Sequence, residues 1–156
     1  MAEVFIGIGS SINRAENIRL GIASLKAEFG ELQLSPLYES EAIGFSGVNF
    51  YNLVVKLHTE KNIVELIQNL KSIEREHGRP ENTSKFTPRT LDLDLLLYDQ
   101  LIDPEFDLPR GEILKNAFVL KPLSELAPAL RHPVLGETYQ ALWANYPQEK
   151  QKLWKV

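Results

Sequence analysis

The sequence contains no cysteine. Disulfides and thiolate metal sites are therefore excluded, and a reducing compartment is the natural setting. A basic excess is also missing. The 17 Lys and Arg face 21 Asp and Glu, for a formal charge of -4, so a broad basic surface for nucleic acid is disfavoured. No stretch stays apolar for the roughly 18 residues that a membrane helix needs. The opening MAEVFIGIGSS has no basic start ahead of a long apolar run, so it does not read as a signal peptide. The three histidines, His58, His77 and His132, show no ligand spacing, and each reads as structural or surface. The phosphate-cradling G-x-x-x-x-G-K-[ST] pattern is absent, as is the protein-kinase set, so an ATP site here would be of another type. The expectation is a cytoplasmic, monomeric globular protein without membrane or nucleic-acid partners.

What is present fits one domain over residues 1–156, since 156 residues with 44% apolar content can bury a real core. Val4–Gly9 is short, apolar and β-branched, and runs into a helix start at Gly9-Ser10-Ser11. Asn13–Phe29 carries Ile18, Ile22, Leu25 and Phe29 at helical steps, with Gly30 as its stop. Leu32–Ser40 alternates weakly around Pro36, which predicts an edge strand. Ala42–Val48 reads as a loop, Asn49–His58 as a strand, and Asn62–His77 as an amphipathic helix before Gly78. Gly78–Pro88 is polar and aperiodic, a long loop of the kind that carries function. Leu91–Tyr98 is a strand. Leu101–Ile102 suggests a short hairpin strand, Ile113–Phe118 a short helix, and PLSELAP and TYQALWANY two more. The order strand, helix, strand, strand, helix, strand is that of a ferredoxin-like α+β domain with helices appended.

The chemistry concentrates in KFTPRTLDLDLLLYD. Asp92 and Asp94 interrupt a leucine-rich strand at a spacing of two, so both carboxylates share one face. Read alone, such a pair is a surface feature neutralised by lysine or arginine. Leucines on both sides argue for burial, and buried like charges need a cation. A divalent metal is the first candidate, because hard cations take carboxylate oxygens. Arg79, Lys85 and Arg89 converge on the same region. Each taken singly reads as solvated surface charge, but the set beside Asp-x-Asp is equipment for a polyphosphate. Glu74 could accept a hydrogen bond from a nucleotide or face water. Phe50, Phe86 and Phe118 are the aromatic candidates for a flat ligand.

PRTLDLDLLLYD resembles the signature of the 6-hydroxymethyl-7,8-dihydropterin pyrophosphokinases of folate biosynthesis. IGIGSS, AIGFSGVNFYNLVVKL, IEREHGR and NAFVLKPLSELAP resemble further segments of that family, in the same order over nearly the whole chain. The resemblance implies a ferredoxin-like α+β fold with a cleft. It implies transfer of pyrophosphate from ATP to the hydroxymethyl group of the dihydropterin, releasing AMP. By the same carry-over Asp92 and Asp94 hold two Mg²⁺, and Arg79 and Arg89 stabilise the transferring phosphates. Lys71, Glu74, Lys85, Leu95, Arg110 and Asn116 fall on the ATP side. Ser40, Ile43 and Gly44 line the pterin pocket, Asn52 reads the ring, and Phe50, Phe86 and Phe118 stack on or close over it. Arg110 stands where the family commonly has His, and Asn116 where Arg is frequent. Another Mg-dependent Asp-x-Asp phosphoryl or nucleotidyl transferase and a non-catalytic ferredoxin-like binding module are the competing readings.

Overall fold

The protein is described from a computed structural model, over residues 1–41, 49–78 and 90–156. Strands β1 (Ala2–Ser10), β4 (Phe50–Thr59) and β5 (Asp92–Tyr98) form the centre of one sheet. Shorter strands β2 (Gln33–Leu34), β3 (Tyr38–Ser40) and β6 (Leu153–Lys155) complete it. The order across the sheet is β5-β1-β4-β3-β6, with β2 also beside β4, and every pairing is antiparallel.

The period-two pattern of the strands divides the core. Val4, Ile6 and Ile8 of β1, Leu53, Val55 and Leu57 of β4, and Leu93 and Leu95 of β5 point to one face. There they meet helix α1 (Arg14–Phe29) through Ile18 and Leu25, and helix α2 (Ile63–Glu76) through Leu66, Leu70 and Ile73. Full burial of such side chains stabilises by about 1.5–3 kcal/mol each. The start of α2 is fixed by a reciprocal cap: Asn62 Oδ1 accepts from the Glu65 amide at 2.9 Å, and Glu65 Oε1 accepts from the Asn62 amide at 3.2 Å. Gly30 and Gly78 end the two helices at φ 82° and 83°, where only glycine sits without strain.

The opposite face carries a second, smaller core. Phe5, Val54, Leu96 and Leu97 meet Ile113 of helix α3 (Glu112–Lys115), Leu120 and Leu123 of helix α4 (Ala117–Leu126), and Tyr139 of helix α5 (Tyr139–Ala144). A β-bulge makes this possible. Ile6 pairs with Leu95 but Phe5 pairs with Leu97, which leaves Leu96 as the extra residue. Leu95 thus stays with the α1–α2 core while Leu96 and Leu97 both reach the other one. Helices therefore flank the sheet on both faces.

Three expectations are corrected. The segment around Pro36 is not one edge strand: it splits into β2 and β3, and β3 lies inside the sheet because the C-terminal β6 pairs with it. No hairpin strand forms at Leu101–Ile102. Those side chains are exposed, and the chain instead makes a 3-10 turn at Pro104–Phe106 inside a loop closed by the Asp103–Leu108 bridge. The helix placed at Ile113–Phe118 breaks at Asn116, whose extended backbone separates α3 from α4. The loops at Ala42–Val48 and Gly78–Pro88 were expected where the sequence turns polar or glycine-rich; residues 42–48 and 79–89 lie outside the described residues.

Candidate active site

The site lies on the sheet face shared with α4, at the end that the helix leaves uncovered. Registry assembles it. Asp92 pairs with Gly9, which pairs with Asn52, which pairs with Tyr38. Asp94 pairs with Gly7, which pairs with Val54. Cross-strand partners share a face, so Asp92, Asp94 and Asn52 project from the same side over a strand that there carries only glycine. The glycine at position 9 is a close-approach requirement. A Cβ at Gly9 would stand 2.9 Å from Asn52 Oδ1, whereas one at Gly7 would meet Leu96 at an ordinary 3.5 Å. Asn52 is held in turn by Ser40, its Nδ2 donating to Ser40 Oγ at 3.0 Å.

Burial, and then the neighbouring charge of Asp92, push the Asp94 carboxyl well above the usual carboxylate range; Arg110 opposes the shift but does not cancel it. Arg110 reaches Asp94 Oδ1 at 3.5 Å and Glu112 Oε1 at 2.8 Å. Burial works against its charge, but the carboxylates of Asp94 and Glu112 outweigh that and hold it above its ordinary value. Glu112 also accepts from Asn116 Nδ2 at 3.4 Å. One carboxylate therefore bridges Arg110 and Asn116, beside the strand that carries the aspartates.

A cleft of about 240 Å³ opens next to this row, with Ser40 and Phe118 in its lining. Ser40 pairs with Phe50 across β3 and β4, and Phe118 packs against the second core. Of the residues expected around the pterin, Ser40, Phe50, Asn52 and Phe118 are thus brought to one side of the sheet. Ile43, Gly44 and Phe86 lie outside the described residues, as do Arg79, Lys85 and Arg89. Leu95 is not in this group: its side chain is buried in the α1–α2 core, on the opposite face from Asp94. Glu74 is buried, and its Oε2 accepts from the Leu93 amide at 2.7 Å. It satisfies a backbone donor on the outer edge of β5, the edge strand of the sheet. Lys71 is exposed on α2.

The sequence reading missed Glu112, whose signal was its position between Arg110 and Asn116 at the start of a helical turn. It also missed Gln151. The Gln151 amide contacts Lys115, Asn116 and Ala117 from 34 or more residues away, and no local pattern announces it.

The profile of the 7,8-dihydro-6-hydroxymethylpterin-pyrophosphokinase family matches residues 5–128. This chain belongs to that family. Among pyrophosphokinases it is 38% identical over 139 residues to the 2-amino-4-hydroxy-6-hydroxymethyldihydropteridine pyrophosphokinase of Aquifex aeolicus, covering 86% of each chain. It is 37% identical over 136 residues to the protein of the same name from Pseudomonas aeruginosa, covering 83% of each. In fold it is similar to the crystal structure of Plasmodium falciparum HPPK-DHPS, with a TM-score of 0.71 at 14% identity over 92% of this chain. It spans only 41% of that longer chain. The pyrophosphokinase fold is thus an open antiparallel sheet with helices. Among the described residues no helix is long and apolar enough to cross a membrane.

Proposed function

We infer that the face carrying Asp92 and Asp94 is where this pyrophosphokinase transfers pyrophosphate from ATP to the hydroxymethyl group of 6-hydroxymethyl-7,8-dihydropterin, releasing AMP in folate biosynthesis. Family membership supports the reaction, and one observation supports the location: two carboxylates on one strand face, opposite Gly9 and Gly7 and beside Asn52.

The donor set suits Mg²⁺. Two carboxylates offer hard oxygen ligands, and no cluster of three His, Cys, Asp or Glu side chains occurs among the described residues. An ion held by Asp92 and Asp94 would complete its shell with phosphate oxygens and water, the usual arrangement for Mg²⁺. We read the site as taking two such ions, which when bound neutralise phosphate charge as it builds up. The chain's own residues then do the positioning. Asn52, fixed by Ser40 and by its contact over Gly9, offers an amide to the polar edge of the pterin. Phe50 and Phe118 offer faces to its ring. Arg110 and Asn116, joined through Glu112, sit on the nucleotide side. Arg79, Arg89 and Lys85 are assigned to the phosphates and Phe86, Ile43 and Gly44 to the pterin; Lys71, Glu74 and Leu95 remain on the ATP side of the proposal, Leu95 through its backbone.

The sheet order β5-β1-β4-β3 with α1 and α2 on one face supports a ferredoxin-like core with C-terminal helices, in one domain over 1–156. We read the enzyme as a cytoplasmic monomer. The decisive assay is AMP release from ATP and Mg²⁺ with and without hydroxymethyl-dihydropterin. Release that depends on the pterin supports the reading. ATP turnover indifferent to it points to another phosphoryl or nucleotidyl transferase, and absence of turnover to a binding module.

A further inference from the structure

The C-terminal segment after α5 lies beyond residue 128, where the family profile ends, yet it forms one wall of the cleft. Glu149, Gln151 and Leu153 line the cleft together with Ser40 and Phe118. Two anchors fix the segment. Leu153 pairs with Ser40 in the β3–β6 ladder. Two residues earlier, Gln151 Oε1 accepts from the Ala117 amide at 2.7 Å, while its Nε2 donates to Asn116 Oδ1 at 3.1 Å and to the Lys115 carbonyl at 3.3 Å.

The chemistry of these three bonds is specific. Ala117 is the first residue of α4, and Asn116 before it makes no side-chain cap. The first amides of a helix lack internal partners, so Gln151 supplies from a distance what a local cap would otherwise supply. The next residue is Phe118. Two residues of extended chain span at most about 7 Å. Gln151–Leu153 therefore ties the Ser40 wall to the Phe118 wall over a short span.

We propose that Gln151 is a positioning residue for the pterin ligand, and that Gln151–Leu153 is a strap that fixes the width of the pterin cleft. The proposal rests on the reading of Ser40 and Phe118 as pterin-side residues. Only an amide suits the position, since it must accept from one group and donate to two. The far end of the strap is held independently: Lys155 Nζ lies 3.4 Å from Glu125 Oε2 of α4, and the Val156 amide donates to the Leu37 carbonyl at 3.0 Å. Loss of Gln151 therefore frees one end of the strap and leaves β6 paired.

The test compares wild type with Gln151→Ala and Gln151→Glu on two readouts. In the kinetic arm, Gln151→Ala should raise KM for hydroxymethyl-dihydropterin about tenfold, with KM for ATP within about threefold and kcat less affected. Gln151→Glu keeps the acceptor for Ala117 but places a carboxylate against two acceptors, so it should recover only part of the loss. Equal shifts for both substrates, or an unchanged pterin KM, overturn the recognition role. In the ligand-free arm, amide hydrogen exchange in Gln151→Ala should quicken at 117–118 while β6 and the centre of β1 and β4 keep their protection. Unchanged exchange at those amides overturns the strap. If the wild type is itself inactive toward the dihydropterin, the reading of the site and the recognition role both fall, and the exchange arm still decides the strap.

Discussion

The two faces of the sheet are built from the same strands and obey opposite rules. On the α1–α2 face the middle positions of β1, β4 and β5 are large aliphatic residues, and two long helices cover them. On the other face the same strands carry Gly7, Gly9, Asn52, Asp92 and Asp94 toward one end. Apolar packing resumes at Phe5, Val54, Leu96 and Leu97, where α4 arrives. One face stores stability, and the other gives it up locally to hold a charge pair that burial disfavours. Because period-two alternation keeps the two sets of side chains apart, a residue on one face can change with little effect on the job of the other.

That separation can be broken in graded ways. The largest effect belongs to the carboxylates. Asp92→Ala or Asp94→Ala should lower kcat about 10³-fold, roughly 4 kcal/mol in the transition state. Steady-state kinetics at saturating Mg²⁺ measures this, and calorimetric melting should show that the fold survives. The helix face should behave in reverse. Leu70→Ala should cost about 3 kcal/mol of stability in denaturant titration, while the folded fraction keeps its kcat.

The two glycines sharpen the contrast within the functional face. Gly9→Ala sets a methyl 2.9 Å from Asn52 Oδ1 and should cost about 2 kcal/mol through the displacement it forces, with a raised pterin KM. Gly7→Ala meets only the end of Leu96 at 3.5 Å, and its stability should stay within about 0.5 kcal/mol of wild type. Asn52→Ala should weaken pterin binding by roughly 1–3 kcal/mol and leave ATP binding nearly unchanged. Isothermal calorimetry with each ligand separates these outcomes, and an equal loss for both would make Asn52 a structural residue.

The smallest effect lies behind the second core, where His132 stands edge-on to Tyr139. His132 is buried, and its Nδ1 accepts from the amides of Val134 and Leu135, each at 3.2 Å. Only the neutral ring can accept, and burial holds its pKa below the ordinary 6.5. The fold therefore binds that proton less readily than the unfolded chain. This contribution to stability is complete above 6.5 and drains away as pH falls through the lowered folded value. His132→Asn places an oxygen where Nδ1 stood and should flatten the fall in melting temperature between about pH 7 and pH 5.

Local pattern made much of this legible. β1, α1, β4, α2 and β5 follow directly from apolar spacing and from helix stops such as Gly30 and Gly78. Asp92 and Asp94 stood out because an interrupted leucine strand contradicts itself unless a cation answers it. Leu95 shows where a carried-over role and the geometry part: one residue beyond Asp94, its side chain must face the other way. Glu74 read as a nucleotide contact or a water-facing acid, and its burial against the Leu93 amide depends on where β5 docks. Three more features were invisible to a local reading. The bulge at Leu96 needs two strands in register, β6 needs β3 as a partner, and Gln151 needs the start of α4.

By itself the sequence determined the strand and helix periods, the shared face of the two aspartates and the family signature. Each of these depends only on residues within a few positions of one another. The tertiary structure alone decided which side of the sheet those aspartates met, that glycines would leave the space above them, and that the last residues of the chain would close the cleft. Those outcomes depend on contacts between segments far apart in sequence, and registry across a sheet is settled only when every strand has buried its apolar side at once.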